Sequence, residues 1–330
     1  MRSVTVPGNL LITGEYVITE EGGTGLACAM APRVEAWMED APDLQVEGRA
    51  GGSRISWRAS GDAGRSDSTP GTSVSSHLLD RAVPFLLDQG ARHRKGRLVV
   101  DSSAFFARQG RKLGFGSSAA VTLALTALLA AEPQTPLEEI LRTAVSAHRH
   151  VQGGRGSGYD VTASLFGGVG VFTGGPRPGW TAAEGWWLAN ARLILSERHN
   201  STVDAVKRYR SWCRDHPEGR AELMERSNAA TDALSSAAEW SQVRAAVHES
   251  RRIGGAIGEA IGVSACVDDA AATEGDSEAV ACKSVGAGSE LMLCLRAGNA
   301  AVEAVHVPQE KTGSAHIVPL MVEQEGLRWE

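Results

Sequence analysis

The chain has 330 residues, 42% of them hydrophobic, and a formal net charge of −6. It is long enough for one large or two moderate domains, each around its own core. A sequence pI near 5.9 argues against a protein held to nucleic acid by a general basic face, while leaving room for a local cationic pocket that takes phosphate.

The first third reads as strand-rich, with strands over residues 4–16 (broken by glycine), 25–38 (with Pro32 at a bend), 45–46, 53–58 and 98–100. Residues 59–71, dense in Ser, Gly and Asp, read as an exposed loop, and 74–87 carry the apolar spacing of a short amphipathic helix. Five scattered cysteines, Cys28, Cys213, Cys266, Cys282 and Cys294, lack Cys-x-x-Cys spacing and are odd in number. That fits reduced thiols, buried as small apolar side chains, better than disulfides or a zinc site. The N-terminus shows no leader pattern, since Gly8, Asn9, Gly14 and Glu15 interrupt it, and no apolar run is long enough to cross a bilayer. The expectation is a soluble cytoplasmic protein with no nucleic-acid or membrane partner.

The most informative stretch is Lys112-Leu113-Gly114-Phe115-Gly116-Ser117-Ser118-Ala119-Ala120-Val121, which runs straight into an uncharged helix over 117–131. Glycines let the backbone turn sharply and approach a ligand, Ser117 or Ser118 can cap the helix, and its first-turn amides point outward without partners. A phosphate can supply those partners, favoured by the positive helix end, with Lys112 as counter-charge. The alternative is an ordinary loop with a serine cap before a core helix.

A second helix is expected over 137–151 with Pro136 at its start, and a third over 160–166. Between them, four of the six residues 153–158 are glycine. They permit close approach to a ligand, and Arg155 in their midst has little choice but to face it. Asp160, next along, reads as a general base, an electrostatic group beside a metal, or the N-cap of the helix that follows. Gly and Pro over 173–185 break the pattern, and we place the domain boundary there, giving domains 1–182 and 183–330. A strand over 191–195, helices over 201–213, 217–235 and 240–254, and a final strand over 291–295 follow. Trp180, Trp186 and Trp187 read as packing or hinge residues.

Three blocks in order, Pro7-Gly8-Asn9-Leu10-Leu11-Ile12-Thr13-Gly14-Glu15-Tyr16, the 112–121 loop, and Lys283-Ser284-Val285-Gly286-Ala287-Gly288-Ser289-Glu290, resemble the GHMP kinase superfamily. Ala147-His148-Arg149, leading through Gln152-Gly153-Gly154-Arg155-Gly156-Ser157-Gly158-Tyr159-Asp160, is similar to the phosphomevalonate kinases within it. The resemblance spans nearly the whole chain. It implies an α+β two-domain fold, with an N-terminal ATP-binding domain of the ribosomal protein S5 domain 2-like type and a ferredoxin-like C-terminal domain. It further implies ATP- and Mg²⁺-dependent phosphorylation of 5-phosphomevalonate in isoprenoid synthesis, and a homodimer is an open expectation. Another small acceptor, such as mevalonate, another mevalonate phosphate or a sugar, is the alternative, and a nucleotide-binding homologue without turnover is a further one.

The resemblance assigns Asp160 and Lys112 to catalysis. Gly114, Phe115, Gly116, Ser117, Ser118 and Ala119 would hold ATP, with Ser118 also on the metal. Asn9, Glu15, Tyr16, His148, Arg155, Ser157, Ser201, Lys283, Gly286, Ala287 and Gly288 would line the acceptor site. Asn9 is the main departure, because relatives usually carry lysine there, thought to pair with the catalytic aspartate. Asparagine donates hydrogen bonds but supplies no charge, so either Lys112, Arg155 or Lys283 substitutes, or the substrate differs, or activity is lost. Ser289 and Glu290 also stand where relatives usually read glycine and aspartate.

Overall fold

The computed structural model describes residues 1–58, 65–68, 73–93, 95–107, 110–154, 156–195, 202–263, 278–286, 291–298 and 316–330. In chain order its elements are β1 (Arg2–Leu11), β2 (Thr24–Glu39), β3 (Leu44–Ala50), β4 (Ser53–Arg58), β5 (Arg65–Ser68), α1 (Ser73–Asp88), β6 (Gly96–Asp101), α2 (Ser117–Ala130), α3 (Leu137–Val151), α4 (Tyr159–Phe166), β7 (Val169–Thr173), β8 (Gly179–Ala183), β9 (Arg192–Leu195), α5 (Thr202–Asp215), α6 (Pro217–Ser235), α7 (Trp240–Ile261), β10 (Val280–Val285), β11 (Leu291–Arg296), β12 (His316–Pro319) and β13 (Arg328–Trp329). Among the described residues, no helix is long and apolar enough to cross a membrane.

The chain gathers into two compact units, one of residues 1–9, 29–168 and 323–330, the other of residues 10–28 and 169–322. In the first, the strands run in the order β13-β1-β2-β6-β3-β4-β5; β13 with β1, β2 with β6, β3 with β4 and β4 with β5 are antiparallel, and β3 with β6 is parallel. Helices α1 and α2 lie against this sheet, and α2 is further packed against α3 and α4. Almost every α2 residue is buried, which is why its sequence carries no charge and no polar stripe. The C-terminal segment braces the end of α4: Leu327 N–H donates to Leu165 O over 3.1 Å, while Arg33 reaches the Glu323 carboxylate at 2.9 Å and Gly326 O at 2.6 Å.

In the second unit, β10-β11-β9-β12 form a four-stranded antiparallel sheet. Helices α6 and α7 pack together, and α7 lies on β10. Residues 10–28 are sewn into this unit through polar bonds. The Thr13 and Thr231 hydroxyls lie 2.8 Å apart, and Thr24 N–H donates to Asn228 Oδ1 over 2.8 Å. Tyr16, Val17, Tyr209, Leu223, Ile253 and Ile257 share one apolar cluster.

Several elements depart from the sequence reading. β2 continues through Pro32 without ending. Arg65–Ser68 pairs with β4 inside the stretch read as loop, the rest of which lies outside the described residues. Gly179–Ala183 is a strand paired with β7, although its Gly and Pro surroundings signalled a break. Lys283 lies within β10, and β11, read as the final strand, is followed by β12 and β13. The thiol expectation is corrected at one pair: Cys282 and Cys294 face each other across β10 and β11 and are joined in a disulfide. Strand register, which no local spacing encodes, creates that pairing. Cys28 and Cys213 are free and buried, and burial pushes the Cys28 thiol up to about 12. Cys266 lies outside the described residues.

Candidate active site

The glycine loop enters α2 through Gly116, whose φ of 74° lies in the left-handed region and makes it the N-cap, with no side-chain cap bond. This corrects the expectation of a serine cap. Ser117 and Ser118 are instead the first two helical residues, which frees the Ser118 hydroxyl for another partner. The Ala119 and Ala120 amides return to Gly116 O at 3.1 and 3.2 Å. The amides of Ser117 and Ser118 precede any intrahelical acceptor, which leaves them available to an anion at the positive end of the helix.

Strand β1 runs directly beneath this loop. A Cβ added to Gly8 would come within 2.4 Å of Phe115 O, so only glycine lets the strand approach this closely. Asn9 N–H donates to the same Phe115 O at 3.1 Å. The Asn9 side chain is 2% exposed, donates from Nδ2 to Ser164 Oγ at 3.0 Å, and lies 3.5 Å from Gly116 O. Its Oδ1 is buried without a hydrogen-bond partner. Where relatives place an ammonium, this chain therefore has an amide that ties the loop to α4.

Asp160 is the second residue of α4, whose N-cap is Gly158, so the reading of Asp160 as the cap is corrected. Its Oδ1 accepts from Val161 N–H at 2.9 Å and its Oδ2 lies 3.3 Å from His148 Nδ1. Burial acts to raise the Asp160 carboxyl, but attraction to the His148 ring, the hydrogen bond from it and the backbone amides of Val161 and Asp160 prevail and hold it below the usual carboxylate value. His148 Nε2 lies 3.3 Å from Ser118 Oγ and 3.4 Å from Gln152 Nε2. Three helices thus meet in one polar chain, Ser118 from α2, His148 from α3 and Asp160 from α4. Arg149, the next residue of α3, donates to Gly156 O at 2.8 Å and Ser157 O at 2.7 Å, which holds the second glycine run in shape.

The first unit therefore brings together Asn9, Gly114–Ala119, His148, Ser157 and Asp160. Lys112, expected beside the phosphates, is exposed and forms an isolated bridge with Phe106. In the second unit, Lys283 is 1% exposed and gives its ammonium to the Glu15 carboxylate and to Ile12 O. Tyr16 sits in that unit's apolar cluster, its hydroxyl pushed up to about 12 by burial and then by Glu15. Gly286 ends β10. Arg155, Ser201, Ala287 and Gly288 lie outside the described residues.

Sequence reasoning missed Ser164, which partners Asn9, and no local pattern announces it. Gln152 could have been found, because it follows His148 by four residues and so shares its helix face. The Arg149 guanidinium meets backbone carbonyls.

The donors suit Mg²⁺ in company with nucleotide phosphates rather than alone. Ser118 and Asp160 offer hard oxygens one imidazole apart, and among the described residues no group of three or more His, Cys, Asp or Glu side chains could hold a metal.

Comparison with known proteins agrees with this geometry. The GHMP kinases N terminal domain model matches residues 93–168, which include the loop, His148 and Asp160. A phosphomevalonate kinase from Streptomyces sp. (strain CL190) is 29% identical over 177 residues, a match spanning 49% of this chain and 46% of that protein, so about half the length of the relative. Among solved structures, the Lin0012 protein from Listeria innocua superposes with a TM-score of 0.79 at 18% identity, covering 99% of both chains. The Streptococcus pneumoniae phosphomevalonate kinase in complex with phosphomevalonate and AMPPNP gives 0.66 at 14% identity, covering 90% of this chain and 93% of that one. L. major mevalonate kinase in complex with R-mevalonate gives 0.69 at 14% identity, covering 98% and 96%. Residues 93–168 thus carry a GHMP kinases N terminal domain, and the α+β two-domain fold of the chain is that of solved mevalonate and phosphomevalonate kinases.

Proposed function

We propose that the chain transfers the terminal phosphoryl group of ATP to 5-phosphomevalonate, giving mevalonate 5-diphosphate. Phosphoryl transfer needs mainly positioning and neutralisation of charge, which the loop amides and the α2 terminus provide for the nucleotide phosphates. Mg²⁺, when bound with ATP, would lie against Ser118 and neutralise charge on the phosphates, with the Asp160 carboxylate on the far side of the His148 ring.

The observation that carries the choice of acceptor is the environment of Asp160. A carboxylate held below its usual value is a weak base, poorly suited to taking a proton from an alcohol. A phosphate monoester has its second pKa near about 6 and is largely an oxyanion at neutral pH, so it needs orientation more than proton removal. The neutral Asn9 points the same way, since no ammonium stands there to stabilise an alkoxide. The relative from Streptomyces supports the same acceptor class by its name.

The test is ATP consumption with Mg²⁺ and 5-phosphomevalonate, mevalonate or no acceptor, with Asp160→Asn in parallel. Turnover that depends on phosphomevalonate and falls in the variant is expected. Faster turnover of mevalonate would overturn the acceptor, and saturable ATP binding without consumption would turn the reading to a nucleotide-binding protein.

A further inference from the structure

The ring of His148 carries an inference beyond the nucleotide and acceptor contacts. We propose that His148 is a positioning residue that fixes the Asp160 carboxylate through Nδ1 and the Ser118 hydroxyl through Nε2, so that one buried ring sets the spacing between the acceptor side and the phosphate loop. The proposal rests on the kinase reading above and adds to it a residue whose part is to orient two others.

His148 is 1% exposed, so its ring has no access to bulk solvent and its orientation is decided by its partners. A carboxylate only accepts, which places a proton on the nitrogen facing Asp160, at 3.3 Å. The other nitrogen lies within reach of the Ser118 hydroxyl at 3.3 Å and the Gln152 amide at 3.4 Å. The Asp160 carboxylate is held at both ends, by Val161 N–H on Oδ1 and by His148 on Oδ2, yet its side chain stays 18% exposed. That combination fixes the group while leaving it able to meet a ligand. A purely architectural junction of α2, α3 and α4 would be served as well by an apolar side chain of similar volume, without the cost of desolvating a polar ring and a carboxylate.

The geometry supplies its own test, because the two amide side chains each mimic one ring nitrogen. His148→Asn places an N–H near the position of Nδ1 and keeps the donor to Asp160, but falls short of Ser118. His148→Gln reaches the position of Nε2 and keeps Ser118, but leaves Asp160 without that donor. Both are compared with wild type for kcat and KM with ATP and phosphomevalonate, for equilibrium binding of a fluorescent ATP analogue without acceptor, and for thermal unfolding. We expect Gln to lower kcat about 100-fold, the scale of a misplaced reacting group, with nucleotide affinity near wild type. Asn should keep kcat within about 10-fold of wild type while weakening the nucleotide several-fold, as loss of one positioning bond does. Equal effects of Asn and Gln on kcat and on binding, or losses that only follow the fall in unfolding temperature, would overturn the proposal. If wild type turns over no acceptor, the kinase reading fails on its own. The binding arm still decides for His148, since equal nucleotide affinity in Asn and Gln would contradict it.

Discussion

Next to the glycine loop of the first unit, polar side chains are held by neighbouring polar groups yet left incomplete, with Asn9 Oδ1 unpartnered and the Asp160 side chain 18% exposed. In the second unit, Lys283 and Glu15 are closed on each other at 1% and 8% side-chain exposure, with Ile12 O completing the ammonium's shell. The contrast separates two uses of charge. An incomplete set of polar groups retains capacity for a ligand, whereas a complete buried pair has spent its capacity on the fold.

The largest effect expected from breaking this contrast is on chemistry. Asp160→Asn should lower phosphomevalonate-dependent turnover by about 10²–10⁴, the range for losing an acid–base or electrostatic group, in a steady-state assay. Next comes Lys283→Met, which strands the Glu15 carboxylate and should cost about 3–5 kcal/mol in denaturant unfolding. Adding Glu15→Leu should recover much of that loss, because replacing both partners of a buried pair is often neutral.

Gly116→Ala should be felt in both stability and nucleotide affinity. Its Cβ would come within 2.2 Å of Asn9 Nδ2, and the left-handed backbone alone costs a non-glycine residue about 1–2 kcal/mol. Ser164→Ala sharpens the comparison at its weakest point. It leaves Asn9 Nδ2 only the 3.5 Å approach to Gly116 O, and a buried donor so stranded costs about 1–3 kcal/mol. The smallest effect is one of pH. Because folding lowers the Asp160 pKa, its ionised form contributes stability that is present above the unfolded value of about 4 and lost as pH falls through the folded value. The stability difference between wild type and Asp160→Asn should therefore shrink in acid denaturation below about pH 4.

What the sequence made legible was local. The loop before α2, the bounds of α3 and the glycine run before Asp160 are encoded by neighbours in the chain, through backbone freedom and helical period. The pairing of Asn9 with Ser164 was hidden because 155 residues separate them. The disulfide was hidden for a related reason, since it depends on β10 and β11 adopting one register. Arg65–Ser68 and Gly179–Ala183 lack strand-forming patterns and become strands by pairing with β4 and β7. Even the serine cap, a local reading, gave way because a left-handed glycine occupies the cap.

Thermal unfolding of Asp160→Asn beside Lys283→Met tests the separation of functional from structural charge most directly. The account predicts that Asp160→Asn melts close to wild type while Lys283→Met melts many degrees lower. The reverse order, with Asp160→Asn the less stable of the two, would contradict it.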